Sequence, residues 1–205
     1  EQQIRNMSSV FTEIADGILP ELRRARLIVN YEVIGRSDEQ IIDQYKKDAT
    51  KLSVEELLYG GNMLMEDNNA RKQWYESTIK LYPNDYRAYN NMAQLAIMEG
   101  NATAAQNWLN KAKNTSTKTP EIYANLAILT LKSGDVVKAE TYMGQASGSD
   151  TFNEILGNLN IMKGNYTQAQ QNLANTKTNS AALAQILNKD YASAKNTLAS
   201  ISTPD

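Results

Sequence analysis

The chain has 205 residues and a formal net charge of −2, and it contains neither cysteine nor histidine. The near-neutral charge argues against nucleic acid as a partner, because phosphate backbones are bound by an excess of Lys and Arg. The lack of Cys and His excludes disulfides, thiolate chemistry and His-based metal sites or triads. No metal, cofactor or catalytic group is therefore expected, and no apolar run is long enough to cross a bilayer.

The first 51 residues predict a helix, a strand and a second helix. Residues 1–16 carry the apolar spacing of an amphipathic helix. Residues 26–34 are rich in β-branched and aromatic side chains and alternate with period two, which is typical of a β-strand. Because a lone strand leaves its backbone groups unpaired, it either pairs with another chain or completes a domain that begins upstream.

A second helix is expected from about Asp38 to Asp48. Ser37 is followed three residues later by Gln40, the spacing of a capping box at a helix N-terminus. This helix leads directly into the region that begins near Leu52, where the chain becomes repetitive.

One pattern of apolar and small residues occurs twice between residues 86 and 146. The first copy consists of Tyr89, Met92, Ala93, Gly100, Ala105, Leu109 and Ala112. Each position is answered 34 residues later, by Tyr123, Leu126, Ala127, Gly134, Ala139, Met143 and Ala146. The spacing predicts two helices joined at a glycine that adopts positive φ. Alanine at the crossing lets the two helices approach closely, where larger side chains would overpack.

This pattern resembles the tetratricopeptide repeat, which has the same length and the same order of aromatic, apolar, small and turn residues. The resemblance implies an all-α fold, a right-handed superhelix or α-solenoid, over residues 52–203. Four to five repeats are expected, at about 52–85, 86–119, 120–149, 150–179 and 180–203.

The outer repeats follow the pattern less closely. Counting 34 residues back from the second repeat gives the first-helix positions of the first one as Glu55, Leu58, Tyr59 and Asn62. In the fourth repeat the offset falls to 30 at Gly164, so about four residues are expected to be missing from the connection at 147–151. The fifth repeat has a short first helix at 181–188, followed by a second helix that includes Tyr191.

A second resemblance concerns residues 22–29, Leu-Arg-Arg-Ala-Arg-Leu-Ile-Val. This segment is similar to the closing part of OmpA-like domains, which precede the repeats in tetratricopeptide proteins of the Bacteroidetes envelope. Residues 1–51 would then be the end of a truncated OmpA-like domain. The resemblance implies a periplasmic or outer-membrane-associated protein after export, with the cytoplasm as the alternative. Peptidoglycan-binding residues of OmpA-like domains lie upstream of this segment, so none is carried over.

The tetratricopeptide resemblance also implies a binding surface. First helices of such repeats line the concave side of the superhelix, where extended peptides or partner helices bind. Carried over by position, the partner-binding residues are Arg87, Asn90, Gln94, Glu121, Asn125, Ile128, Glu154 and Asn158. Amides with a few apolar neighbours suit hydrogen bonding to a peptide backbone. The alternative for any one of them is an ordinary solvated residue.

The expected function is a non-enzymatic scaffold that binds a protein or peptide partner. The alternative is a structural role, in which the array spaces or oligomerises other domains of a larger envelope protein. Self-association would then use the strand at 26–34 or the C-terminal helix, because each presents an unpaired face.

Overall fold

The computed structural model describes residues 35–201, and within this range all regular structure is helical. The α-helices are α1 (Asp38–Asp48), α2 (Val54–Tyr59), α3 (Asn68–Leu81), α4 (Tyr86–Met98), α5 (Ala102–Thr115), α6 (Pro120–Lys132), α7 (Val136–Met143), α8 (Phe152–Met162), α9 (Tyr166–Asn172), α10 (Asn179–Leu187) and α11 (Tyr191–Ser200). A 3₁₀ turn at Ala49–Lys51 precedes α2, and a π-helical stretch at Gly60–Leu64 continues it. The all-α prediction is confirmed for this part of the chain. The predicted helix at 1–16 and strand at 26–34 lie outside the described residues.

The expected helix at 38–48 is present as α1 and begins with the predicted capping box. The backbone N–H of Ser37 donates to the side chain of Gln40 at 2.9 Å, and the Ser37 hydroxyl accepts from the Gln40 backbone. Tyr45 of this helix stacks on Trp74 of α3, with ring centroids 3.8 Å apart. Together with buried Ile41, this contact packs α1 onto the first helical hairpin.

Helices α2 to α11 form five helical hairpins, which we number units one to five. The second helix of each unit also contacts the first helix of the next. First helices touch one another as well, because α6 contacts both α4 and α8, and α8 contacts α10. The predicted α-solenoid is confirmed by this stacking. The right-handed sense of the superhelix and the boundary at residue 51 stay predictions.

The turns within units two to five share one geometry, whereas in unit one the first helix ends at Met65 with φ −106°. In units two, three and four the turn residue has φ of +73°, +80° and +77°, at Gly100, Gly134 and Gly164. The backbone N–H of the next residue donates to a carbonyl in the last turn of the helix. In unit two, for example, the Asn101 N–H donates to the Ala96 carbonyl at 2.8 Å. This is the Schellman arrangement, in which a left-handed residue satisfies the last carbonyls of a helix. Unit five makes the same turn with Lys189, at φ +65°.

The two helices of a unit can approach each other closely because one first-helix residue at their contact is a glycine or an alanine. A Cβ atom added to Gly157 of α8 would lie 2.4 Å from Cγ of Leu173, which follows α9. In unit one, a Cβ at Gly61 would lie 2.6 Å from Cε1 of Tyr75. A large side chain of the second helix therefore lies directly on the backbone of the first.

The contact between Gly61 and Tyr75 shows that the predicted alignment of the first helix of unit one with that of unit two was wrong. Counting back 34 residues put Tyr59 at the small position, but Tyr59 is 40% exposed and the buried small residue is Gly61. The first helix starts only 32 residues before that of unit two, at Val54 rather than two residues earlier. The prediction was wrong because α2 with its π-helical continuation is two residues shorter than α4.

The expected deletion at 147–151 is also wrong. Helix α7 has 8 residues and ends at Met143, whereas α5 has 14. The residues missing from the unit are thus lost from the second helix. The connection to α8 is long and passes through Gly148, which has a positive φ of +99°.

Turn geometry gives the first prediction, for Gly134→Ala and Lys189→Gly. Nothing lies within 4 Å of a Cβ built at Gly134, so the alanine adds backbone strain without a clash and lowers the free energy of unfolding by about 1 kcal/mol. Glycine at position 189 removes a left-handed Lys and raises that free energy by roughly 0.5 kcal/mol, net of glycine's greater chain entropy. Urea denaturation of both variants measures this. Effects of the same sign would contradict the turn assignment.

A second prediction concerns Gly157→Ala. The added methyl overpacks against Leu173 and lowers the free energy of unfolding by about 1–3 kcal/mol. In the double variant Gly157→Ala/Leu173→Ala the methyl has room, so the loss is smaller than the sum of the two single losses. A thermodynamic cycle from urea denaturation gives the coupling energy, and additive effects would show that the two residues do not touch.

Candidate peptide-binding surface

The first helices of units one to four lie side by side, and their solvent-facing side chains form one surface, which we call the first-helix face. Two cavities open on it. Cavity A, between the first helices of units one, two and three, has a volume of about 380 Å³ and is lined by Glu55, Leu58, Tyr59, Asn62, Tyr86, Arg87, Asn90, Asn91 and Glu121. Cavity B, between α6 and α8, has a volume of about 250 Å³ and is lined by Ile128, Leu131, Lys132, Ile155 and Asn158.

Arg87 is held at the edge of cavity A by two carboxylates. Its guanidinium forms a fork with Asp85 at 2.7 and 3.0 Å and reaches Glu55 of unit one at 2.9 Å. These bonds lower the pKa of Asp85 and raise that of Arg87, with the Asp85 bond as the larger cause for the arginine. Asp85 also caps α4 by accepting from the Arg87 backbone N–H at 2.9 Å. The positive charge of Arg87 is thus already neutralised within the protein.

Two asparagines connect units two and three beneath the cavity. Asn125 Nδ2 donates to Asn90 Oδ1 at 2.9 Å, and each residue is only 8% exposed. Removing either side chain would leave a buried partner group without its hydrogen bond, which is unfavourable. The pair therefore fixes how α4 and α6 pack, in addition to any contact it makes with a ligand.

A second polar cluster forms the unit-one wall of cavity A. Asn62 Oδ1 accepts from the Tyr75 hydroxyl at 2.6 Å and from Asn91 Nδ2 at 3.0 Å. Burial is the main cause that raises the pKa of Tyr75. Burial also raises the pKa of Tyr86, with the nearby Glu121 carboxylate as the next cause. Both phenols therefore stay neutral donors over the physiological range.

Five of the eight residues predicted from sequence lie in the two cavities. Arg87, Asn90 and Glu121 line cavity A, and Ile128 and Asn158 line cavity B. The other three lie elsewhere, with Asn125 behind Asn90, Gln94 in a separate cavity beside Asn91, and Glu154 lining neither A nor B. The role of all eight residues in binding stays a prediction.

Sequence reasoning missed most of the unit-one side of cavity A. Glu55, Tyr59 and Asn62 line the cavity, although counting repeats had placed them at the helix-packing positions of unit one. The two adjacent glycines at 60 and 61 were the available signal. Two buried glycines in a helix mark a place where something large approaches the backbone. Tyr86, the first residue of α4, was also missed, since the positions carried over from the resemblance begin at Arg87.

Comparison with known proteins agrees with this geometry. Residues 74–107 match the model of the tetratricopeptide repeat family, and this range runs from the middle of α3 through α4 into α5. Among curated protein sequences none matches the chain significantly.

Two solved structures are similar. A chain of the APC/C hetero-tetramer Cut9-Hcn1 superposes with a TM-score of 0.65 at 14% identity, over 81% of this chain and 36% of that one. A tetratricopeptide repeat protein from Parabacteroides merdae superposes with a TM-score of 0.55 at 16% identity, over 82% of this chain and 73% of that one. At these identities the likeness shows the fold, that of a tetratricopeptide solenoid. Such proteins are generally non-enzymatic, and their fold suggests a scaffold with protein partners.

Between residues 35 and 201, no helix combines the length and apolar character that a membrane span requires. The same residues contain no cluster of carboxylates that could hold a metal ion. Cavities A and B, in contrast, offer amides, carboxylates, phenols and aliphatic side chains, a mixture that suits a peptide.

The ion pair at Arg87 predicts a pH dependence. Above the unfolded Asp pKa of about 4, Asp85 is charged and its stabilisation is complete; it is lost as pH falls through the lowered folded pKa. Asn keeps the helix cap, so Asp85→Asn should cost at most about 1 kcal/mol at neutral pH and reduce the loss of stability on acidification below pH 4. Urea denaturation at neutral pH and below pH 4 measures the free energy of unfolding of each variant. Asp43→Asn, at an exposed position, is the control. Equal pH slopes for wild type and Asp85→Asn would contradict the assignment.

Proposed function

We propose that the protein is a non-enzymatic scaffold that binds an extended segment of a protein or peptide along its first-helix face, the concave side of the solenoid. The observation that carries the proposal is the position of cavities A and B, which both open on this face and together reach from unit one to unit four. Grooves of this size with a few polar groups among apolar ones are typical binding sites.

The polar groups of the groove support recognition of a peptide backbone. Asn91 and Asn158 present side-chain amides that both donate and accept, which matches the alternating groups of an extended main chain. These side chains stand on packed helices, and Asn91 is further held by its bond to Asn62. Because they are ordered before binding, little conformational entropy is lost when a partner binds.

We further propose that the protein acts in the bacterial envelope, in the periplasm or at the outer membrane. This location rests on the similarity of residues 22–29 to the closing segment of OmpA-like domains, and those residues lie outside the described range. Fractionation of the source cell tests it directly, since recovery in the cytoplasmic fraction alone would overturn it.

The alternative function is a structural one, and a specific observation favours it. The last described helix, α11, exposes Tyr191 and Leu198, which are 65% and 48% accessible. Exposed apolar side chains grouped on one helix can associate with another surface. Association through α11 would not depend on the first-helix face, so variants of that face distinguish the two functions.

The decisive variant is Asn91→Arg/Gln94→Arg, which places two bulky charges in the groove between the first two units. Its control is Asn107→Arg/Asn110→Arg, the same change at exposed positions of the second helix α5. We expect the groove variant to capture at least about tenfold less of the proteins that the wild type binds in extracts of the source cell. The control should capture the same proteins in wild-type amounts. Equal capture by both variants would reject binding at this face and leave the structural role.

A further inference from the structure

Cavity A contains more negative than positive charge. The carboxylates of Glu55, Asp85 and Glu121 surround one cation, Arg87, whose guanidinium is already paired with Asp85 and Glu55. Glu121 is exposed and forms no ion pair with any residue in the described range. Three carboxylates and one guanidinium leave a net charge of −2 around cavity A, and Glu121 carries the part of it that has no paired cation in the described range.

The floor of the cavity has an unused hydrogen-bond donor. Asn90 is 8% exposed, and its Oδ1 accepts from Asn125 Nδ2. Its own Nδ2 has no protein partner between residues 35 and 201 and is not a fully buried atom, so water in the cavity reaches it. A donor that lines a cavity of peptide size points to an acceptor on the ligand, such as a main-chain carbonyl oxygen.

Aromatic rings add a further preference for positive charge. Tyr59 and Tyr86 line the same cavity, and the Glu121 carboxylate is close enough to raise the pKa of Tyr86. A Lys or Arg side chain is attracted both by carboxylates and by aromatic faces. An anionic side chain would meet Glu121 without compensation, which disfavours it.

Cavity B lies nearer the C-terminal end of α6, the helix that contributes Glu121 to cavity A, and its lining is less polar than that of cavity A. Ile128, Leu131 and Ile155 make it chiefly aliphatic. Glu121 and Ile128 are seven residues apart on α6, which is about 10 Å along the helix axis. Leu131 lies about 15 Å from Glu121 by the same measure. An extended peptide covers these distances with about three to five residues.

From these observations, and resting on the proposed function, we propose that the first-helix face selects an extended peptide with a Lys or Arg side chain in cavity A and an aliphatic side chain about three to five residues away in cavity B. Glu121 pairs with the cation, and Asn90 Nδ2 donates to a carbonyl oxygen of the peptide main chain.

The test is selection from a random linear-peptide library displayed on phage, with the full chain as bait. Three baits are compared with the wild type, namely Glu121→Gln, Glu76→Gln and the groove variant Asn91→Arg/Gln94→Arg. Glu76 is the control, because it is an exposed glutamate of the second helix α3, lines neither cavity and is not one of the eight residues predicted to bind a partner. Both Gln substitutions remove one exposed carboxylate, so a difference between them is due to the position of Glu121 in cavity A.

We expect wild type and Glu76→Gln to enrich peptides that pair a basic with an aliphatic residue at this spacing. Glu121→Gln should bind the selected peptides about tenfold more weakly. Selected peptides that lack a basic residue, and that the groove variant fails to bind, would overturn the charge preference while leaving the proposed function intact. Peptides that the groove variant binds as well as wild type does, or no enrichment over an unrelated helical bait, would overturn both.

Discussion

In units one to four, the packing of the two helices depends on a large side chain of the second-helix segment that lies against a glycine or alanine of the first helix. Gly157 under Leu173 and Gly61 under Tyr75 are the plainest cases, since a single Cβ at either glycine would overlap its partner. Ala93 and Ala127 occupy the same place in units two and three and are fully buried. Protein interiors are close-packed, so this contact fixes the distance at which all later helices stack.

The binding surface is a consequence of that stacking. Because the hairpins pack in register, first helices meet first helices, and their outward residues are brought together from distant parts of the sequence. Glu55 reaches Arg87 of the next unit, and Asn90 reaches Asn125 of the one after. Glu55, Arg87 and Asn90 form hydrogen bonds between units and also line cavity A. The bonds that stabilise the stacking of the units therefore also hold these cavity side chains in position.

The repeat pattern was enough to predict the central units and their turns, because Gly100, Gly134 and Gly164 recur with the alanines of two packed helices. It failed where local packing overrode the period. In unit one, the rings of Trp74 and Tyr75 lie over Gly60 and Gly61 and shift the register. For the same reason only three of the nine residues that line cavity A were predicted, namely Arg87, Asn90 and Glu121, since the lining residues from unit one depend on that register. Side-chain pairs across units are not visible in a single sequence.

The most direct measurement of the central contact is a nuclear Overhauser spectrum of the protein with labelled leucine methyl groups. The account predicts strong cross-peaks between the Leu173 methyl protons and the α-protons of Gly157, because the leucine branch lies on the glycine backbone. Leu173 methyl cross-peaks that go to other residues but not to Gly157 would contradict it, and the stacking and the proposed surface would both have to be abandoned.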